Sequence, residues 1–278
     1  MTDLLRNPVI GAICGDIIGV PYEWYCKHGL QVPKDFKLIT KDSKFSDDSV
    51  MTIAVADWLL GVPPFNTDEL VKCMQTWGRR YSNSGYGHLF RKWLFEDDPQ
   101  PYGSYGNGSA MRVSPVGCVA QTCEEVRDLA KMSASVSHNH PEGIKGAQCV
   151  AEMIWNNLHK HNNGETEIAI PTEYYPTESL TKTPEQIIKS GYRFDSTCQG
   201  SVPEAICCFL HSNSYEETIR NAIMLRGDAD TQAAIAGSIA AAYWGVPRDI
   251  AEDCLELITD EMFYILEAFS LKYGLDFI

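Results

Sequence analysis

The chain reads as an all-α protein, and three observations carry that prediction. Apolar residues recur at the spacing of a helix in segment after segment. Period-two alternation of the strand type is short and rare. Two acidic segments, FSDDS at Phe45 to Ser49 and RGDADT at Arg226 to Thr231, each run straight into an apolar helical stretch. With 278 residues and 44% hydrophobic content the chain can bury a sizeable core, expected here as one domain over residues 1–278.

The first helix is predicted over Leu5 to Ile18. Gly11, Gly15 and Gly19 recur every four residues there and give a flat face for a close neighbour. Asp16 and Glu23 bracket the end of this helix, and Asp16 reads equally well as a helix-end polar contact or as a site residue. Glu23 follows Pro21, in a loop expected to move, which makes it a candidate general acid or base. Further helices are predicted over Val50 to Leu60, Thr67 to Arg80 and Leu89 to Phe95. Asp97 and Asp98 in FEDDPQ read as a solvated turn and only as outside candidates for the chemistry.

The segment YGSYGNGSAMRVSPVG, Tyr102 to Gly117, opens with a glycine-rich loop that enters a helix near Ser109. Such a loop brings backbone amides close to an anion, which suits phosphate oxygens. No Lys-Ser or Lys-Thr follows the glycines, so it is not a Walker loop. Helices follow over Cys123 to Ser135 and Gly143 to His159. Between them stands SHNHPEG, where Pro141 begins the second helix and one of His138 and His140 is expected to face inward. No His-Asp dipeptide exists, which disfavours an HD-type phosphohydrolase.

The polar run His161 to Thr183, with an apolar patch at Ile168 to Ile170, reads as a surface excursion. The remaining helices are predicted over Pro184 to Ser190, Val202 to His211, Tyr215 to Met224, Thr231 to Tyr243 and Ile250 to Tyr273. Ala233 to Tyr243 is rich in small residues and too short to span a membrane, so it is expected to be a central buried helix that fixes Asp228 and Asp230.

The two acidic segments hold more carboxylates than helix capping needs. One cap takes one carboxylate or hydroxyl, yet Ser46, Asp47, Asp48 and Ser49 stand together, and so do Asp228, Asp230 and Thr231. Side by side these acids would repel unless a cation neutralised them. All the ligand atoms would be oxygen, with no His or Cys at ligand spacing, which favours Mg2+ or Mn2+ over Zn2+. Four acids suffice for two ions.

Composition narrows the partners. A net charge of −14 argues against an unaided nucleic-acid backbone. Ten cysteines form no CxxC pair, and several lie in apolar runs such as AICCFL, so they read as reduced thiols of a cytoplasmic protein. The N-terminal stretch is interrupted by Asp3, Arg6 and Asp16, and reads as neither a signal peptide nor a membrane span.

Five motifs, GDIIGVPYE, FSDDS, SYGNGSAMRVSPVG, SHNHPEG and GDADTQAAIAG, occur in an order that resembles the ADP-ribosylglycohydrolases, the group that includes the dinitrogenase-reductase-activating glycohydrolase. SVPEAICCFL, Ser201 to Leu210, is similar to that family's late helix. The resemblance implies a compact, single-domain, all-α orthogonal bundle with two Mg2+ ions in a cleft that holds ADP-ribose, Mn2+ being a possible substitute. It implies metal ligation by Ser46, Asp47, Asp48, Asp228, Asp230 and Thr231, with Glu23 as a mobile glutamate that contacts a metal in one state. Tyr102, Gly103, Ser104, Tyr105, Gly106, Asn107 and Gly108 correspond to a loop around the diphosphate and distal ribose, and His138 and Asp47 to ligand contacts. Ser46 and Ser49 stand where Thr is frequent. Arg226 stands where glycine is usual, and a cation there could pair with a carboxylate or narrow the pocket.

The activity implied is hydrolysis of the bond between ADP-ribose and an acceptor on a protein or small molecule, with Glu23, Asp47 or Asp48 managing the proton. The acceptor could be arginine, serine, another side chain, an ester or, for a nucleic acid, a modified base. A membrane partner is not expected. A second reading is a non-catalytic ADP-ribose-binding inhibitor or immunity protein. A third is a two-metal phosphohydrolase, which would release phosphate.

Overall fold

The computed structural model describes residues 3–278 except 166, 169 and 171. Fifteen helices and one two-stranded ribbon make up the regular structure of the described residues. The ribbon pairs β1 (Leu4–Leu5) with β2 (Val246–Pro247), antiparallel, with Leu4 opposite Pro247 and Leu5 opposite Val246. Leu5 therefore belongs to a strand and not to the first helix.

The fold is organised on two helices, α1 (Pro8–Lys27) and α13 (Ala229–Tyr243). Asn7 caps α1 by accepting from the Val9 and Ile10 amides, and Pro8 supplies a first-turn residue with no amide to satisfy. A β-carbon at Gly11 would strike Ala241 and the Gly237 carbonyl, one at Gly15 the backbone of Ala233, and one at Gly19 the Cα of Asp230. The three glycines thus form the flat face that their spacing predicts, and the small residues of α13 fill it. Every residue of α13 except Tyr243 is buried.

The predicted end of α1 at Ile18 is corrected. Pro21 lies inside the helix, which runs on to Lys27. Proline removes one amide bond of the ladder. The following turn is held regardless by burial of Tyr22 and Cys26 and by an ion pair between Glu23 and Lys27, one turn apart.

α2 (Asp47–Leu59) packs against α1, with only Asp47 and Asp57 of its residues not buried. Three predicted helices have the expected bounds: α3 (Thr67–Arg80), α7 (Cys123–Ser135) and α12 (Tyr215–Met224). Each opens with a side-chain cap, Asn66, Thr122 or Ser214, that accepts from the amide of Glu69, Glu125 or Glu217. α4 (His88–Leu94) packs against α3, and the short α5 (Gly108–Met111) and α6 (Ser114–Val119) pack against α8 (Pro141–Asn162), which begins at Pro141 as predicted.

The run His161 to Thr183 is more than a surface excursion. Tyr175 and Leu180 are buried in the core, and Thr177–Leu180 forms a short helix, α9. Part of the apolar patch at Ile168 to Ile170 lies outside the described residues. α10 (Pro184–Lys189) and α11 (Cys198–Leu210) follow.

The single helix predicted over Ile250 to Tyr273 is two, α14 (Arg248–Leu255) and α15 (Asp260–Tyr273). Thr259 caps the second, and Asp260 and Glu261 complement its dipole. One connected core runs from Leu5 to Phe269, and all ten cysteines are free thiols, seven of them buried. Among the described residues no helix is long and apolar enough to cross a membrane.

Candidate active site

Asp16 is fully buried in the middle of α1, facing the first turn of α2. Its Oδ2 accepts from the Ser46 and Ser49 amides at 2.8 and 3.0 Å. Its Oδ1 accepts from Ser46 Oγ at 2.6 Å, and Ser49 Oγ donates to Oδ2 in a short bond. An anion from one helix thus satisfies the free amides at the start of another. Burial pushes the Asp16 carboxyl upward, and the donated bonds from Ser46 and Ser49 pull it back in part.

Asp48 Oδ2 accepts from Thr231 Oγ1 at 3.3 Å and stands 3.4 Å from Ser46 Oγ, whose proton goes to Asp16. Asp48 Oδ1 is buried without a hydrogen-bond partner among the described residues. Asp228 stands at the cap position of α13, Asp230 and Thr231 in its first turn. Asn107 Nδ2 donates to Asp228 Oδ2 at 2.9 Å. Two overlapping acidic sets result, Asp16 with Asp48 and Asp230, and Glu23 with Asp228 and Asp230. Within each set one oxygen per residue lies within 4.8 Å of the others, and Asp230 is common to both. Burial first, and repulsion between the acids second, raises Asp48 and Asp230 well above the ordinary carboxylate range, and loss of water around the carboxyl of the partly exposed Asp47, then repulsion from Asp16, lifts it to about 8. Burial also lifts Asp228 to about 6, against the bond from Asn107. An orphaned carboxylate oxygen within an all-oxygen donor set fits hard divalent cations.

Glu23, Asp47, Asp48, Asp228 and Asp230 border a cleft of about 490 Å3, and Asp16 does not. Tyr102, Ser104, Gly106, Asn107, Gly108 and His138 also line it. Gly103 and Tyr105 do not: the Gly103 amide donates to Asn139 Oδ1 at 2.7 Å, and Tyr105 is 48% exposed with its ring 5.3 Å from His140. The loop is pinned to the segment before α11, where Cys198 N donates to Tyr105 O at 2.9 Å and Asn107 N to Ser196 O at 2.8 Å. A β-carbon at Gly108 would stand 2.9 Å from His138 Nε2, so glycine is what admits the imidazole.

A family model described as ADP-ribosylglycohydrolase matches residues 2–273. The chain belongs to the ADP-ribosylglycohydrolase family. Its predicted all-α fold and its reading as an enzyme stand with that membership. The ADP-ribosylhydrolase ARH3 of Homo sapiens is 25% identical over 321 residues, covering 90% of this chain and 88% of that protein. An ADP-ribosylarginine hydrolase of Pseudomonas putida is 25% identical over 274 residues, covering 88% and 71%. A solved structure titled ADP-ribosylglycohydrolase-related protein complex superposes with a TM-score of 0.66 at 21% identity, over 95% of this chain and 97% of that one, a likeness of fold.

In this member of the ADP-ribosylglycohydrolase family Glu23 sits on a helix, not in a loop. It lines the cleft and also an adjoining cavity of about 960 Å3, together with Lys27, Asp47 and Asp230. Ser46 borders only the adjoining cavity. Arg226 makes no ion pair with a carboxylate among the described residues and does not line the cleft. Asp97 and Asp98 are exposed and also lie outside it.

His138 is the inward histidine, while His140 caps α8 by accepting from the Glu142 amide. Arg112, fully buried beside the cleft, donates through Nη2 to Ser133 O at 2.9 Å and Ser137 Oγ at 3.0 Å. The Ser137 hydroxyl, accepting from a guanidinium that cannot accept in return, has its own proton free for His138 Nδ1 at 2.8 Å. With Ser137 donating, Nδ1 accepts and the ring's own proton stands on Nε2, facing the glycine loop. Burial, reinforced by Arg112, holds its pKa well below the usual histidine range and keeps the ring neutral.

Sequence reasoning missed Lys27 and Arg112 and left Asp16 undecided. Asp16 carried a signal nonetheless, a carboxylate inside a run of apolar and glycine residues where burial without partners is costly.

Proposed function

We propose that the chain hydrolyses the glycosidic bond joining ADP-ribose to an acceptor, releasing ADP-ribose and the unmodified acceptor, with two divalent cations as cofactors. The observation that carries this reading is the pair of overlapping carboxylate sets, of which all members but Asp16 border a cleft whose wall includes the glycine loop. Mg2+ suits the all-oxygen donors, and Mn2+ would substitute. Glu23, Ser46, Asp47, Asp48, Asp228, Asp230 and Thr231 are the ligands proposed, with Asp16 added because its oxygen belongs to one of the sets. When bound, the ions would supply positive charge that orients the ribose hydroxyls and acidifies water.

The chain's own residues do the rest. Tyr102, Gly103, Ser104, Tyr105, Gly106, Asn107 and Gly108 form the loop proposed to hold the diphosphate and distal ribose, with Asp47 as a further ligand contact. The Nε2 proton of His138 donates to a ligand oxygen. Water adds to the anomeric carbon as the bond to the acceptor breaks, and the acceptor leaves with a proton. Glu23 is proposed to move that proton, supported by its place on the wall of both the cleft and the adjoining cavity. Asp47 and Asp48 hold the water and the sugar in line.

Arginine is one acceptor to test, since a relative is named for it, and serine another. The substrate is an ADP-ribosylated protein or small molecule, and a nucleic acid only as a modified acceptor. A cytoplasmic setting is proposed on the ten free thiols. The test is release of free ADP-ribose from arginine-linked and serine-linked ADP-ribosyl peptides, with Mg2+ and then with excess EDTA. Release that stops with EDTA is expected. No release from any linkage, with ADP-ribose still bound, would replace the enzyme by a binding protein.

A further inference from the structure

A third cavity, of about 300 Å3, lies beside the cleft and is lined by the C-terminal turn of α1, the segment between α10 and α11, and Arg226. Lys27 and Phe194 are common to its wall and that of the cleft. Lys27, the exposed Arg193 and the half-buried Arg226 all line it, together with Tyr192 and Phe194. Lys27 is spoken for by Glu23, and its ammonium stands 5.3 Å from the centre of the Phe194 ring. Neither Arg193 nor Arg226 makes a side-chain hydrogen bond or an ion pair among the described residues.

The three cations of this wall stand beside the acidic cluster, since Glu23, Asp228 and Asp230 act on both Lys27 and Cys26. What sets the cavity apart from an ordinary solvated face is its second arginine. Arg226 has φ of 69°, and is the one non-glycine residue in the left-handed region among the described residues. A β-carbon resists that backbone, which glycine adopts freely. Arg226 is thus a half-buried arginine held on strained backbone whose donors meet solvent and no acceptor of the protein, so a ligand oxygen can take them without breaking an internal bond.

We propose that this cavity is a second anion site, separate from the metal-bordered cleft, that binds a phosphate group through Arg226 and Arg193. The guanidinium fork matches phosphate oxygens. The phosphate could be a free ion or one carried by the acceptor next to its ADP-ribosylated residue. Both have the same chemistry.

The experiment compares the wild type with Arg226→Gly and Arg193→Ala by thermal denaturation, adding inorganic phosphate against sodium chloride of equal ionic strength. EDTA is present throughout, so that no phosphate binds through a cation. Phosphate should raise the wild-type midpoint saturably, and each variant should need about tenfold more for the same shift, the loss of one charge-assisted contact. Arg226→Gly places glycine on left-handed backbone, so without phosphate it should be at least as stable as the wild type. Equal phosphate dependence in all three proteins, or none in the wild type, would overturn the site.

A second arm separates the sources and rests on the proposed hydrolysis. ADP-ribosyl peptides with and without an adjacent phosphoserine are compared for KM. A KM about tenfold lower for the phosphorylated peptide, lost in Arg226→Gly, assigns the site to the acceptor. Equal KM for the two peptides, with the denaturation result positive, assigns it to a free ion. Absence of turnover with every peptide would count against the proposed function alone, because the denaturation arm needs no catalysis.

Discussion

Protons and divalent cations should compete for the acidic cluster, and the exchange can be counted. The perturbation is titration of Mg2+ into the EDTA-treated, dialysed protein. At pH 7 a carboxyl at about 8 is protonated in about nine molecules of ten, and one at about 6 in about one of ten, so Asp47 and Asp228 together hold about one proton. Asp48 and Asp230, both raised well above the usual range, can only add to that number. These groups face one another, so the count belongs to the cluster and not to one residue. Binding of a cation to ionised oxygens must expel those protons. Calorimetry in two buffers of different ionisation enthalpy should therefore report release of at least about one proton per chain at pH 7. Apparent affinity should rise about tenfold per pH unit between pH 6 and 8 for each proton released. The same carboxyls fix the sign of the metal-free protein's stability. A folded pKa raised above an unfolded value near 4 stabilises the fold below that value, and the contribution is lost as pH rises through 6 to 8. With Mg2+ bound the decline should flatten. Zero proton release, with equal affinity at pH 6 and 8, would refute the reasoning.

Asp16→Ala removes the acceptor of two amides and two hydroxyls at the start of α2. It should lower urea-derived stability by about 3 kcal/mol, and a loss below about 1 kcal/mol would mean that α2 is capped by other means. Ser137→Ala breaks the path from Arg112 to His138. In the wild type the imidazole nitrogen shifts should report a proton on Nε2. The variant should mix tautomers and bind ADP-ribose about tenfold more weakly, whereas a wild-type proton on Nδ1 would undo the assignment.

What the sequence made legible is what depends on near neighbours. α3, α7 and α12 carry a cap three residues ahead of a glutamate, and their bounds follow from that local pattern. Asp47 with Asp48, and Asp228 with Asp230, stand out because each pair is crowded within its own segment. Residues whose partners are distant in sequence were harder to read. Asp16 finds its donors 30 and 33 residues away, and Arg112 finds Ser137 at a separation of 25. Pro21 misled for the converse reason, since its local preference for ending a helix is overridden by the burial of Tyr22 and Cys26. The break between α14 and α15 was in principle readable, because Thr259, Asp260 and Glu261 are a start signal inside a run otherwise taken as continuous.

The seam between α1 and α13 joins fold to site, and it explains why small residues dominate there. Gly19 is four residues from Glu23, and the β-carbon it lacks would stand 2.5 Å from Asp230 Cα. Asp230 and Glu23 belong to one acidic set, and Asp16, one residue past Gly15, belongs with Asp230 to the other. The separation of the two helix axes therefore sets the spacing of carboxylates from α1 and α13. Neither glycine offers a functional group, yet a larger side chain at either would have to displace backbone rather than a flexible tip. A cluster of acids from different helices can keep oxygens within a few ångströms only if the helices beneath them cannot drift, and interlocked backbone is the stiffest way to hold them. The alanines and glycines of α13 are thus as much a part of the site's construction as the acids at its N-terminal end.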